Sequence, residues 1–134
     1  MQITATIRNT FEQNQVTVST ENNQKNIDIP GKADGFGSSV NGGELLFLAL
    51  ATCFCNDIYR EASRRKMKLA SVEVTVSGMF GAEGEPASGI TYKTHIESPH
   101  QSKEELNDLI THVDGVAEVH NTLRKGVSVS LLRA

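Results

Sequence analysis

The sequence has no tryptophan, and aromatic residues make up only 5% of its 134 positions. Base-stacking platforms need aromatic rings, so single-stranded nucleic acid is a poor fit. An excess of positive charge is missing too. The formal net charge is −3, which argues against nucleic acid of any form as the main partner. Long hydrophobic runs are also missing. The longest, Leu45 to Cys55, falls short of the roughly 20 residues that span a bilayer. The first ten residues, MQITATIRNT, lack the basic and apolar blocks of a signal peptide. These absences predict a cytoplasmic protein with no membrane segment. Cysteine is scarce, with two residues in the chain, so a disulfide-stapled scaffold is not expected.

What is present fits one ordinary domain covering residues 1–134. Hydrophobic residues are 38% and charged residues 22%, enough for a conventional core. Residues 2–8, 15–20 and 25–29 alternate apolar and polar side chains and read as an antiparallel meander. A breaker-rich loop from Pro30 to Gly43 follows, either a flexible linker or a rigid lead-in to the next element. A long helix is predicted from about Gly42 to Lys66. Its first half, ELLFLALATCFC, is apolar almost all round and requires burial on every side. So short a chain has few places to enclose such a helix, which predicts an oligomer. The second half is amphipathic, and Arg60, Arg64, Arg65, Lys66 and Lys68 read as a solvated basic end that suits the helix dipole.

Residues 69–80 and 89–97 read as a hairpin, with Val72, Val74 and Val76 on one face and Ile90, Tyr92 and Ile96 inward. Ser102 and Glu105 form a capping box that opens another helix, expected to end near Asp114–Gly115. A short helix capped by Asp114 and stopped by Gly126 follows, and VSVSLL then reads as a last strand. This order of elements is an α+β class.

The chemistry centres on Cys53 and Cys55 in "LALATCFCNDIYRE". The pair reads as a reactive thiol site, a metal clip, a disulfide or two small apolar residues in a buried helix. Positions i and i+2 of a helix point about 200° apart. The two thiols therefore cannot join in an unstrained disulfide or ligate one ion together while the helix is intact. His95, His100, His112 and His120 show no metal-site spacing, so no metal and no cofactor is expected. A reactive thiol needs a cation, a helix N-terminus or a base. Cys53 lies mid-helix, Asp57 at i+4 would raise its pKa, and any activation has to come from other elements.

"NGGELLFLALATCF" resembles the central-helix signature of the OsmC/Ohr family, the osmotically inducible and organic hydroperoxide resistance proteins. "VHNTLRKGVSVSL" is similar to a second family segment, which often reads Cys-Pro-Val-His-Asn-Thr-Leu. The resemblance spans about the whole chain. It implies an OsmC-like fold, with antiparallel sheets around a long buried central helix in an intertwined homodimer. It also implies active sites at the subunit interface, where a peroxidatic thiolate reduces organic hydroperoxides or hydrogen peroxide. By that resemblance Cys53 is the peroxidatic cysteine. A Glu at the head of the helix and an Arg from the N-terminal meander orient it. Glu44 and Arg8 are the candidates, although the strict Ohr-type Glu position falls on Gly43.

One departure matters most. The family's second cysteine is Ala117 here, and its proline is Glu118. An intramolecular disulfide at that site is excluded. Three readings stay open: a one-cysteine thiol peroxidase of the oxidative stress response that uses an external thiol reductant; a non-catalytic protein binding a small hydrophobic ligand or partner at the dimer interface; and a dimer retained for an unrelated role.

Overall fold

The computed structural model describes residues 1–133 and is of mixed α+β class, with antiparallel sheets and three helices. It divides into two compact units, Met1–Leu45 and Leu46–Ala134.

The N-terminal unit is a meander of β1 (Ile3–Thr10), β2 (Gln13–Thr20) and β3 (Asn23–Asn26), in the order β1-β2-β3. Its turns are tight. Glu12 and Glu21 adopt φ of 61° and 52°, so pairing resumes at once, Thr10 opposite Gln13 and Thr20 opposite Asn23. That is why β3 begins at Asn23 and ends at Asn26, rather than covering 25–29 as the alternation suggested. The loop after β3 is held in place. Asn9 Nδ2 donates to the Gly37 carbonyl at 3.1 Å and the Gly37 N–H donates back to Asn9 Oδ1 at 2.8 Å. Gly31 passes so close to β2 that a Cβ there would lie 2.7 Å from the Glu12 carbonyl carbon. These contacts fit the rigid alternative for this loop.

The long helix α1 (Gly42–Arg64) matches its predicted start closely. Asn41 and Glu44 cap it reciprocally: Glu44 N–H donates to Asn41 Oδ1 at 2.8 Å, and Asn41 N–H donates to Glu44 Oε1 at 3.0 Å. Lys66 closes it in the left-handed region, φ 57°, with Met67 N–H reaching back to the Ala62 carbonyl at 2.8 Å.

In the C-terminal unit, β4 (Ser71–Met79) and β5 (Ser88–Glu97) form an antiparallel hairpin with an irregularity between Ser77 and Met79. Helix α2 (Lys103–Val116) opens with the predicted Ser102–Glu105 capping box, and α3 (Glu118–Lys125) follows. The core consists of Phe54, Ile58 and Ala62 from α1, Leu109 and Val113 from α2, and Ala117, all buried. Val72, Val74, Tyr92 and Ile96 of the hairpin pack against it. No helix among the described residues is long and apolar enough to cross a membrane.

Three expectations need correction. Residues 127–132 form no strand: Val127, Val129, Leu131 and Leu132 keep their alternation but are exposed, because no neighbouring strand pairs with them among the described residues. Helix α2 runs through Asp114 and Gly115 to Val116, and α3 is capped by Ala117, not Asp114. Asp114 is withheld from capping because its carboxylate accepts from Tyr92 Oη and from Arg124 Nη2. Ile90, beside the irregular end of the hairpin, is 36% exposed rather than inward. In the single chain Leu48 of α1 is 59% exposed.

Because Leu109 is fully buried among well-packed neighbours, Leu109→Ala should lower the unfolding free energy by about 2–5 kcal/mol. Urea unfolding of both proteins at one concentration checks this.

Candidate active site

Helical spacing decides which α1 side chains share a face. Leu50, Phe54, Asp57, Ile58, Glu61 and Ala62 form the buried stripe. Two acids thus enter the interior with the apolar residues, at 4% and 6% exposure for Asp57 and Glu61. Buried carboxylates require partners. Arg60 Nη1 lies 2.9 Å from Asp57 Oδ1, and Arg64 Nη1 lies 2.7 Å from Glu61 Oε1. His112 of α2 approaches Glu61 Oε2 at 3.4 Å. Burial alone would raise Glu61, yet Arg60, Arg64 and His112 together hold it below the ordinary carboxylate range. Arg60 and Arg64 are therefore counter-charges to buried acids and not simply a solvated face.

Cys53 stands at the edge of this stripe and is half-buried, with a free thiol. Its Sγ donates to Asp57 Oδ2 at 3.7 Å, one helical turn on. Across from it lies the first turn of α3. Cys53 Sγ, a carboxylate oxygen of Asp57 and one of Glu118 all fall within 4.8 Å of one another. The backbone of Val119 also faces the sulfur and favours its anion. Helix α3 has no side-chain N-cap, so its first amides are open to an anion at this place. Burial pushes the Cys53 thiol up, the Val119 backbone pulls it down, and Asp57 and Glu118 push it up again; the net direction is upward. Burial and Glu118 likewise raise Asp57, against the opposing pull of Arg60. One thiol with two carboxylates and no imidazole is unlike the Cys/His donor sets of zinc sites, and Asp57 Oδ1 is already committed to Arg60. Proton exchange is the chemistry these three groups fit.

Behind the thiol, His120 fixes α3. Its ring packs at 5.5 Å from Phe54 and 4.6 Å from Tyr92, centroid to centroid. Both ring nitrogens are buried with no hydrogen-bond partner among the described residues, and burial holds the imidazole below its usual pKa. Tyr92 is pushed up to about 12 by burial and by its hydrogen bond to Asp114. Arg124 completes the clamp, with Nη2 at 2.6 Å from Asp114 Oδ1 and Nη1 at 2.9 Å from the Asp114 carbonyl. Cys55 faces elsewhere. It lines a groove with Thr52 and Asn56 of α1 and Val72, Glu73 and Val74 of β4.

The chain belongs to the OsmC-like family. Residues 35–132 match the family described as OsmC-like protein. Solved structures share the fold of this OsmC-like chain at low identity. An OsmC-like protein from Mycoplasma pneumoniae is 21% identical, with 90% of this chain and 87% of that one covered and a TM-score of 0.61. An organic hydroperoxide resistance protein from Legionella pneumophila, also described as a predicted redox protein, is 19% identical over 92% and 90% of the two chains, TM-score 0.59. An organic hydroperoxide resistance protein of Bacillus subtilis is 16% identical over 96% and 94%, TM-score 0.55. No curated protein matches the sequence.

The residues carried over by family resemblance fare differently. Cys53 has a structured chemical setting. Glu44 is engaged in the capping box of α1. Arg8 sits on β1 opposite Gln15, exposed, and makes no ion pair among the described residues. The sequence reading missed Glu118 and the Val119 amide as neighbours of the thiol. The replacement of proline by Glu118, next to the absent second cysteine, was the available signal.

The thiol of Cys53 should alkylate with a midpoint above the ordinary value of about 8.5. Glu118→Gln removes a negative charge that disfavours the thiolate, so the midpoint should fall. Iodoacetamide labelling between pH 6 and pH 11, in a Cys55→Ser background, reads both.

Proposed function

We propose that this protein is a thiol peroxidase of one-cysteine type, a single OsmC-like domain acting in the cytoplasm. Cys53 is its peroxidatic residue, and organic hydroperoxides or hydrogen peroxide are its substrates. The observation that carries the reading is the placement of the Cys53 sulfur against the uncapped first turn of α3, beside Asp57 and Glu118. Open amides at a helix start favour a sulfur anion and the sulfenate that follows its oxidation. Ala117, the cap of that helix, is fully buried and carries no thiol. Resolution of the sulfenic acid therefore falls to an external thiol, which forms a mixed disulfide at Cys53 and is displaced by a second thiol. The structural likeness to organic hydroperoxide resistance proteins supports this reading at the level of the fold.

One observation favours a non-catalytic reading. Burial and two carboxylates raise the Cys53 pKa and so disfavour the thiolate at rest. On that reading the protein binds a small hydrophobic ligand or partner. Consumption of cumene hydroperoxide with excess dithiothreitol decides between them. Turnover should be lost in Cys53→Ser and kept in Cys55→Ser. Equal consumption by wild type and Cys53→Ser would sink the peroxidase reading.

The working form is a homodimer. In support, Leu48 on α1, Ile3 and Ile7 on β1, and Leu131 and Leu132 near the C-terminus are all more than half exposed in the single chain. Apolar surface on this scale favours association with a second copy. Sedimentation should give a dimer for wild type, and Leu48→Glu should shift it towards monomer.

A further inference from the structure

Cys53 and Asp57 are spaced i, i+4 on α1, so their side chains lie one above the other on one helix face. The carboxylate is held at both ends. Oδ1 accepts from Arg60 Nη1 at 2.9 Å, and Oδ2 faces the Cys53 thiol at 3.7 Å. At 4% exposure Asp57 is withdrawn from solvent, which leaves the thiol as the exchangeable group at Oδ2. Glu61, one turn further on, is buried to a similar degree but serves only Arg60, Arg64 and His112. Asp57 alone of the two buried acids touches the sulfur.

We infer that Asp57 is the acid–base catalyst of the Cys53 site, taking the thiol proton during attack on a peroxide and returning it to the departing oxygen. This rests on the peroxidase reading. Burial and two carboxylates disfavour the thiolate, and the thiol already donates to a carboxylate, so a proton leaving during the reaction has a receiver in place. The acceptor that the thiol already donates to is Asp57 Oδ2. In the forward step, the thiol proton passes to Asp57. The sulfur lone pair attacks the terminal oxygen of R–O–O–H, the S–O bond forms and the O–O bond breaks. The bond's electron pair leaves with R–O⁻, which takes the proton from Asp57 and departs as R–OH. Sulfur is oxidised to Cys–S–OH, the peroxide is reduced, and Asp57 ends as it began.

The groups that face this pair are Glu118 and the Val119 amide from α3, and Arg60 and Glu61 from α1. Arg60 keeps Asp57 ionised before the reaction, while Glu118 and Glu61 oppose it. Glu118 is the competing candidate, since its carboxylate also lies within 4.8 Å of the sulfur. It is exposed and bulk water serves it equally well.

The test compares two reactions of the same thiol in full-length protein with a Cys55→Ser background. Oxidation by cumene hydroperoxide, read as single-turnover sulfenic acid formation, needs a proton for its leaving group. Alkylation by iodoacetamide expels iodide and needs none. Asp57→Asn should slow oxidation on the order of 10²-fold and alkylation at pH 7 far less, because alkylation loses only a base whereas oxidation also loses the proton donor to its leaving group. Asp57→Glu should restore part of the oxidation rate, and Glu118→Gln should keep it within a few-fold of the parent. Unchanged oxidation in Asp57→Asn, or an equal loss in both reactions, would overturn the assignment while leaving the peroxidase reading intact. A parent protein that peroxide does not oxidise removes both. If Asp57→Asn does not fold, Arg60→Gln serves. It takes away the charge that holds Asp57 ionised, so the acidic limb of the oxidation–pH profile should move to higher pH. An unmoved limb overturns the assignment.

Discussion

Burial of one stripe of α1 governs everything else in the C-terminal unit. Phe54, Ile58 and Ala62 enter the core together, and the hairpin, α2 and Ala117 assemble on them. The ring of Phe54 meets Tyr92 at 4.8 Å and His120 at 5.5 Å, edge-on and tilted. Those contacts set where α3 lies along α1. Cys53 immediately precedes Phe54, so the same packing that seats the ring carries the sulfur to the first turn of α3. The site is thus a by-product of core packing, which is how a chemical group is held without a dedicated loop.

The same stripe explains the electrostatics. At i+3 and i+7 from Phe54, Asp57 and Glu61 are taken inward whether or not their charges favour it. Arg60 and Arg64 reach back to them from the exposed side, and His112 reaches across from α2. Their value as isolated surface pairs would be small; here they offset the desolvation of acids that the helix period has placed inside. The Tyr92–Asp114–Arg124 clamp does a similar job at the other end of α3. It also supplies the last carbonyls of α2 with donors, since Arg124 binds the Asp114 carbonyl and Asn121 that of Gly115.

Much of this was legible in the sequence because it is written in local patterns. The alternation of β1, β4 and β5, the Ser102–Glu105 box and the apolar length of α1 each depend on neighbours a few residues apart. Cys53 was singled out by family resemblance, and helix geometry alone separated it from Cys55. What was not legible depends on partners distant in the chain. Asp57 was recognised at i+4 only as a hindrance to the thiolate. Its second oxygen on Arg60, and Glu118 beside the sulfur, required α3 to be placed. Asp114 looked like a cap because nothing local reveals that Tyr92, from another element, claims it. The alternation in Val127–Leu132 has the look of a strand, but a strand exists only where another offers its hydrogen bonds.

Ala117 has a consequence for damage. In a two-thiol enzyme the second sulfur shields the first by closing on it as soon as it is oxidised. On the peroxidase reading, an oxidised Cys53 has no second sulfur at position 117 to close on it and depends on a thiol from solution. If peroxide arrives first, the sulfur moves to the sulfinic state, from which ordinary thiols do not bring it back. On the peroxidase reading such a protein has a finite life that depends on the ratio of oxidant to thiol around it. It is consumed in a burst of oxidant, and its surviving fraction records how severe the burst was.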